Sequence, residues 1–280
     1  MKIGVIDVGG GTRGSYGAGV FDYCMNNHIT FNYGIGVSAG AANLSSLWGG
    51  QQGRNYKFYT EYYKRKSYMS LYNLLKTGSY IGLEYIYGDL SDSWGEYPLN
   101  YEKMMQYPAP MYIVCTDGLT GQPRYFSKEE MSQDCYDPIK ASCCVPVINK
   151  PWMIDDTPYY DGGISDPVPL KKAFADGCDK LVLVLTRPKE YRRIPKNDGI
   201  FADMLEKTYP GASDAMRTRS YVYNACVDEA EALEKQGKVL IIAPDDIGEM
   251  KTLTKDDQAI KNLYVKGYLD AAKISEFVKK

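Results

Sequence analysis

Histidine is almost missing from this sequence: His28 is the one imidazole in 280 residues. That scarcity excludes a metal centre built on several histidines and leaves at most one candidate for a Ser-His-Asp triad. Basic excess is missing too. Lys and Arg number 33 against 35 Asp and Glu, a net charge of −2, so no phosphate-tracking surface and no nucleic-acid partner are expected. There is no run of ~20 apolar residues. Met1-Lys2 leads into Ile3-Gly4-Val5-Ile6 without an apolar leader and cleavage site, so the expected location is the cytoplasm. The seven cysteines (24, 115, 135, 143, 144, 178 and 226) are odd in number and lack C-x-x-C spacing. Neither a disulfide framework nor a zinc site is expected, and the chemistry is read as needing no metal and no cofactor.

What is present is an ordinary globular composition, with 44% hydrophobic, 24% charged and 13% aromatic residues; it suits one folded domain over residues 1–280. Lys2 to Val8 is β-prone and runs into glycines and then a helix-compatible stretch, Tyr16 to Asn27. Phe31 to Val37 repeats the pattern before the small-residue helix Ala39 to Trp48, and further strands are expected at 111–116, 181–186 and 239–243. Strands alternating with helices predict an α/β fold with a mainly parallel sheet sandwiched by helices. Between the second and third strands, residues 54–107 form a helical insertion carrying 12 of the 26 tyrosines. It reads either as an amphipathic layer on the sheet or as an apolar wall over a lipid groove. Ile260, Leu263, Tyr264, Gly267, Ala271, Ile274 and Val278 share one face of a docking helix over about 255–278.

Three motifs carry the chemistry. Gly36-Val37-Ser38-Ala39-Gly40 is a G-x-S-x-G sequence between a β-prone run and a small-residue helix, the context of a nucleophile on a sharp strand-to-helix turn. Gly36 and Gly40 remove side chains that would crowd it. Gly9-Gly10-Gly11-Thr12-Arg13-Gly14 follows the first strand, so in a parallel sheet it projects from the same edge as Ser38 and offers backbone N–H groups to an oxyanion. The same residues fit G-x-G-x-x-G, but no acidic residue follows between His28 and Gly40 to hold a ribose. Ile6-Asp7-Val8-Gly9-Gly10-Gly11-Thr12 is similar to the phosphate loop of actin-like sugar kinases, which leaves the serine motif unexplained. Asp161-Gly162-Gly163 supplies a candidate base; the stretch before it, Thr157 to Tyr160, reads as a turn.

Together the three motifs, in this order, resemble the patatin-like phospholipase family, with its G-G-G-x-R/K-G loop, G-x-S-x-G elbow and D-G-G/A segment, and most closely its bacterial branch. Ala141-Ser142-Cys143-Cys144-Val145-Pro146 is similar to the A-S-x-x-x-P segment of that family, whereas Val8 stands where many bacterial members have an acidic residue. The resemblance covers about Met1 to Pro188. It implies a three-layer patatin-like architecture and hydrolysis of lipid acyl esters by a Ser-Asp dyad without histidine: Ser38 as nucleophile, Asp161 as base, Gly9 to Gly14 as the oxyanion hole, and Gly36, Gly40, Gly162 and Gly163 in support. The expected partner is a lipid or fatty acyl ester, with peripheral membrane contact. The alternative is a low-turnover protein that binds lipid or acyl groups on the same fold. The basic residues Arg187, Lys189, Arg192, Arg193 and Lys196 form a loop that meets either anionic head groups or solvent alone.

Overall fold

The computed structural model describes residues 1–279, without the side chains of Lys196 and Asn197. Its strands are β1 (Ile3–Asp7), β2 (Tyr33–Val37), β3 (Met111–Asp117), β4 (Pro123–Ser127), β5 (Trp152–Ile154), β6 (Thr157–Asp161), β7 (Lys180–Val184) and β8 (Val239–Ile242). Its helices are α1 (Ser15–Asn26), α2 (Ala39–Trp48), α3 (Arg54–Thr60), α4 (Leu71–Thr77), α5 (Tyr101–Gln106), α6 (Asp137–Ser142), α7 (Leu170–Ala175), α8 (Lys196–Leu205), α9 (Pro210–Lys235), α10 (Asp257–Asp270) and α11 (Ile274–Phe277). The strands make one sheet in the order β5-β6-β3-β2-β1-β7-β8, with β4 also on β3. Every pair from β3 through β2, β1 and β7 to β8 is parallel.

The parallel part is apolar on both faces, as helix-covered strands require. Val5, Val182 and Val184 point to one side, among residues of α1, α2 and α10. Ile6, Leu181 and Leu183 point to the other, among residues of α7 and α9. This α/β sandwich is the expected fold class. The part that alternation did not reveal is antiparallel: β4, β5 and β6. Thr157 to Tyr160 is therefore strand rather than turn. The turn lies just before it, at Asp155 and Asp156, both at positive φ (47° and 61°), which is the backbone a two-residue hairpin needs.

The 54–107 region holds the short α-helices α3, α4 and α5, with a 3₁₀ turn at Tyr62–Lys64 and a π-helical turn at Tyr85–Asp89 between them. The C-terminal helix ends at Asp270, tightens into a 3₁₀ turn at Ala271–Lys273 where Ala271 is fully buried, and resumes for one turn as α11. Ile260, Leu263, Ala271 and Ile274 are buried, each Leu or Ile worth ~1.5–3 kcal/mol. α10 crosses α1 backbone to backbone: a Cβ at Gly267 would stand 2.9 Å from the Tyr16 carbonyl carbon, and one at Gly19 would stand 2.8 Å from the Tyr268 nitrogen.

Under the first glycine-rich turn lies Asp7, fully buried, accepting hydrogen bonds from the Asn43 amide and the Gly9 N–H at 2.9 Å each. Burial raises its carboxyl from the ordinary 3.8 to about 6, against the pull of those two donors. Between these values the folded protein keeps a proton that the unfolded chain has released, so stability is present at lower pH and lost as pH rises through about 6. Burial raises Asp22, Asp161 and Asp166 as well, in the same sense. The unfolding free energy in guanidinium chloride is therefore expected to be higher at pH 5 than at pH 7, by about 1 kcal/mol from Asp7 alone. A lower value at pH 5 would show that Asp7 is charged in the folded state across this range.

Candidate active site

Ser38 stands between β2 and α2 at φ 56°, ψ −131°, a conformation that costs a non-glycine residue ~1–3 kcal/mol and persists only when its surroundings impose it. The surroundings here are explicit. The Ser38 N–H donates to the Ser142 hydroxyl at 2.8 Å, and that hydroxyl donates to the Val114 carbonyl at 2.6 Å. Gly36 and Gly40 let the turn close, since a Cβ on either would lie 2.6 Å from the Ala41 nitrogen or 2.7 Å from the Asp7 carbonyl carbon. Ser38 is left 7% exposed at the N-terminus of α2, where the helix favours negative charge.

Asp161 ends β6 and caps the short 3₁₀ turn Gly162–Ile164, one carboxylate oxygen accepting from the Gly163 N–H at 2.8 Å. Its own N–H donates to the Cys144 carbonyl, and its carbonyl accepts from the Thr116 hydroxyl. The residue is 6% exposed. Burial raises its pKa, and the positive charge of Arg219 is the foremost of the opposing influences, followed by the Ser38 hydroxyl. Ser38 thus faces the carboxyl. The same hydroxyl also pulls down the Cys143 thiol, so it lies between the two side chains' influence.

The glycine loop arrives on the same edge. Gly9, Gly10 and Gly11 have φ of 61°, 127° and 60°, all in the left-handed region that glycine tolerates. The Gly9 N–H is taken by Asp7, whereas those of Gly10 and Gly11 donate to no protein acceptor among the described residues. Thr186 holds the Gly9 carbonyl, and Thr12 donates through its N–H (2.9 Å) and hydroxyl (3.2 Å) to the Thr252 carbonyl. Arg13 lies across Gly10, its guanidinium donating to the Thr252 hydroxyl. Gly14 is buried at the start of α1. The acid at this turn is Asp7, one position before Val8.

Ser38 lines two cavities. One, of about 60 Å³, runs beneath the tyrosine-rich insertion among Tyr59, Tyr68, Leu83, Tyr87 and Cys143. The other, of about 350 Å³, is lined by Asp161 as well as Ser38 and by Arg13, Arg187, Arg193 and Arg219. A further groove of about 700 Å³, between the 246–250 turn and α10, contains neither Ser38 nor Asp161. Cys143 is no rival nucleophile, because burial pushes its thiol up to about 12.

His28 is exposed at the end of the segment that enters β2, whereas Ser38 leaves β2 at its other end. His28→Ala is expected to keep ester hydrolysis within about twofold of wild type in a steady-state assay, there being no path from this imidazole to the serine; a loss of tenfold or more would return histidine to the mechanism.

The sequence offered no role for Ser142, Thr252, Arg219 or Asp198. Ser142 stood in a recognisable segment without a function. Arg219 on α9 donates to the Gly163 carbonyl at 2.6 Å, and Asp198 pairs with Arg193 at 2.9 Å. The basic loop divides: Lys189 and Arg192 pair with Glu234, Asp228 and Glu231 on α9, Arg187 and Arg193 turn into the cavity, and the Lys196 side chain lies outside the described residues.

A parallel sheet with its serine, carboxyl and glycine loop gathered at the carboxyl edge places the chain among α/β proteins that work at strand ends. It belongs to the patatin-like phospholipase family, whose family model matches residues 8–174. A second model, described as a domain of unknown function, matches residues 209–280. The chain is 28% identical over 200 residues to the uncharacterized protein YjjU of Escherichia coli (strain K12), an alignment covering 70% of this chain and 55% of that protein; the chain thus spans little more than half the length of this relative. In fold it is similar to VipD from Legionella pneumophila, with a TM-score of 0.54 and 14% identity over 98% of this chain and 67% of that one.

Proposed function

We propose that the chain is a serine acyl hydrolase acting on fatty acyl esters of lipids through a Ser38–Asp161 dyad. One observation carries the reading: a serine in a strained turn at a helix N-terminus faces a buried carboxyl of raised pKa, with two unengaged glycine N–H groups on the same edge. In the proposed cycle Ser38 Oγ attacks the ester carbonyl and its proton passes to Asp161. The oxyanion is held by the N–H groups of Gly10 and Gly11. As the carbonyl re-forms, the alcohol leaves with the proton from Asp161, and the acyl group stays on Ser38. Water then adds, Asp161 again takes the proton, and the fatty acid is released while Ser38 regains its hydrogen.

The raised pKa of Asp161 matters because an ordinary carboxylate is a weak base for a serine hydroxyl. The apolar cavity beneath the tyrosines suits the start of an acyl chain. Exposed Leu71, Tyr72 and Leu75 on α4, with Ile200 and Met204 on α8, support peripheral contact with a lipid surface; no helix among the described residues is long and apolar enough to cross a membrane. The two matched segments contribute to one sheet, β8 reaching β2 and β3 through β7 and β1, which lie outside both, and this supports one working unit over residues 1–280.

The test is intact mass after treatment with a fluorophosphonate, followed by an acyl ester panel. A single adduct on wild type, absent from Ser38→Ala, together with turnover of at least one ester, is the expected result. Folded wild type that neither labels nor turns over any ester would overturn the reading in favour of a lipid-binding protein.

A further inference from the structure

Arg219 lies beyond the patatin-like match at 8–174 and inside the 209–280 segment described only as a domain of unknown function. Its place in the fold follows from ties between α9 and the strand that ends in Asp161. Ala212, near the start of α9, donates its N–H to the Gly118 carbonyl at 3.1 Å, and the Gly118 N–H donates to the Pro158 carbonyl of β6 at 2.7 Å. The backbones meet closely here, since a Cβ on Gly211 would stand 2.5 Å from the Leu119 carbonyl carbon. Arg219 follows Ala212 by about two helical turns and therefore projects from the same face of α9.

The guanidinium grips the turn that Asp161 caps. Its Nε donates to the Gly163 carbonyl at 2.6 Å, while the Gly163 N–H donates to the Asp161 carboxylate at 2.8 Å. A Cβ on Gly163 would stand 3.0 Å from Asp161 Oδ1 and 3.4 Å from Arg219 Nη2, so the bare glycine keeps the two charged groups on either side of one methyl-sized gap. Opposite charges at this range favour each other's ionised form. Burial raises Asp161 and Arg219 is the foremost influence against it; burial holds Arg219 down to about 10, the charge of Arg193 adds to that, and Asp161 and Asp198 oppose it.

We propose that Arg219 is a positioning residue for Asp161: it fixes the 162–164 turn through the Gly163 carbonyl and supplies the positive charge that keeps the buried carboxyl able to ionise. The inference rests on the hydrolase reading, and it gives the segment of unknown function a part in the site. A second tie from that segment supports it, the Thr252 carbonyl accepting from the Thr12 N–H of the glycine loop at 2.9 Å. The other groups around Asp161 do not duplicate Arg219. Arg193, on the loop after β7, is the weaker charge on Asp161 and is paired with Asp198 of α8 at 2.9 Å, whereas Arg219 stands 3.9 Å from that carboxylate. Tyr191, on the same loop, faces Arg219. The thiols of Cys115 on β3 and of Cys143 and Cys144 just after α6 are kept protonated by burial.

Carboxyl carbon NMR of the full chain labelled at aspartate reads the titration of Asp161 directly, its signal assigned by its loss in Asp161→Asn, and the pH profile of kcat/KM on an acyl ester is measured beside it. In Arg219→Gln the amide can still donate to the Gly163 carbonyl but the charge is gone. The Asp161 midpoint is then expected about one pH unit above that of wild type, with the acid limb of kcat/KM moving up by the same amount. Arg219→Lys restores the charge and is expected to bring the midpoint most of the way back. Asp198→Asn leaves α9 untouched and removes the carboxylate that competes for the same guanidiniums, so its Asp161 midpoint should move the other way, to lower pH. Melting temperatures establish that each variant is folded.

An Asp161 midpoint that stays in place in Arg219→Gln and Asp198→Asn, in proteins that still hydrolyse the ester, overturns the proposal and leaves the hydrolase reading intact. A loss of rate equal at every pH, without a shift of midpoint, makes Arg219 a structural residue alone and overturns it too. A shifted midpoint in a protein that hydrolyses no ester keeps the charge coupling and overturns the hydrolase reading on which its use in catalysis rests.

Discussion

Replacing Ser38 by alanine is expected to lower the rate of acyl ester hydrolysis by roughly 10⁴-fold or more, the scale on which loss of a nucleophile acts when no other group takes over. No other group is placed to do so. Cys143 adjoins the site but keeps its proton until about 12, and the lone imidazole is at the far end of β2. The substitution should leave the fold intact, because the bonds that fix the elbow run through the backbone N–H of residue 38 and the Ser142 hydroxyl. A melting temperature within a few degrees of wild type, read beside the rate, separates lost chemistry from lost structure. A folded Ser38→Ala protein retaining a tenth of the activity would place the nucleophile elsewhere.

Asp161→Asn is expected to cost about 10³-fold or more in kcat, since an amide cannot accept the serine proton. The amide oxygen can still accept from the Gly163 N–H, so the 3₁₀ turn should survive. A pH profile supplies the independent signature. In wild type, kcat/KM should fall as pH drops through the pKa of Asp161, which burial sets above the ordinary carboxylate value; below it the carboxyl holds its proton and no longer serves as a base. The residual activity of Asp161→Asn should lack that acid limb. A retained limb of the same midpoint would assign it to another group, Asp7 being the nearest alternative with a carboxyl at about 6.

The parts of the site that are local in sequence were legible in it. A strand-serine-helix turn and a glycine run after a strand each need particular residues within five or six positions, and the structure brings Ser38, Asp161 and the 9–14 loop to one sheet edge. The antiparallel edge was hidden because Thr157-Pro158-Tyr159-Tyr160 has the composition of a turn, and Pro158 fits a strand only through its pairing position opposite Met153. Of the arginine cluster, only the basic run that holds Arg187 and Arg193 had a local signature. Arg13, Arg187, Arg193 and Arg219 come from the first turn, the loop after β7 and the middle of α9, and only the folded chain makes them neighbours. Ser142 illustrates the intermediate case, a residue within a visible segment whose work, bracing the residue 38 N–H, depends on β3 lying beside it.

The contact between Thr12 and the Thr252 carbonyl has a consequence for the order in which the protein is made. The glycine loop leaves the ribosome well before the acceptor that pins it, which lies about 240 residues later and is followed by the helix that crosses α1. A nascent chain stopped short of Thr252 has its serine turn and its aspartate but no anchor for the loop that would hold the oxyanion. Under the proposed dyad, a chain cut before Thr252 that still folds its sheet is therefore expected to be inactive, because its glycine loop has lost this acceptor.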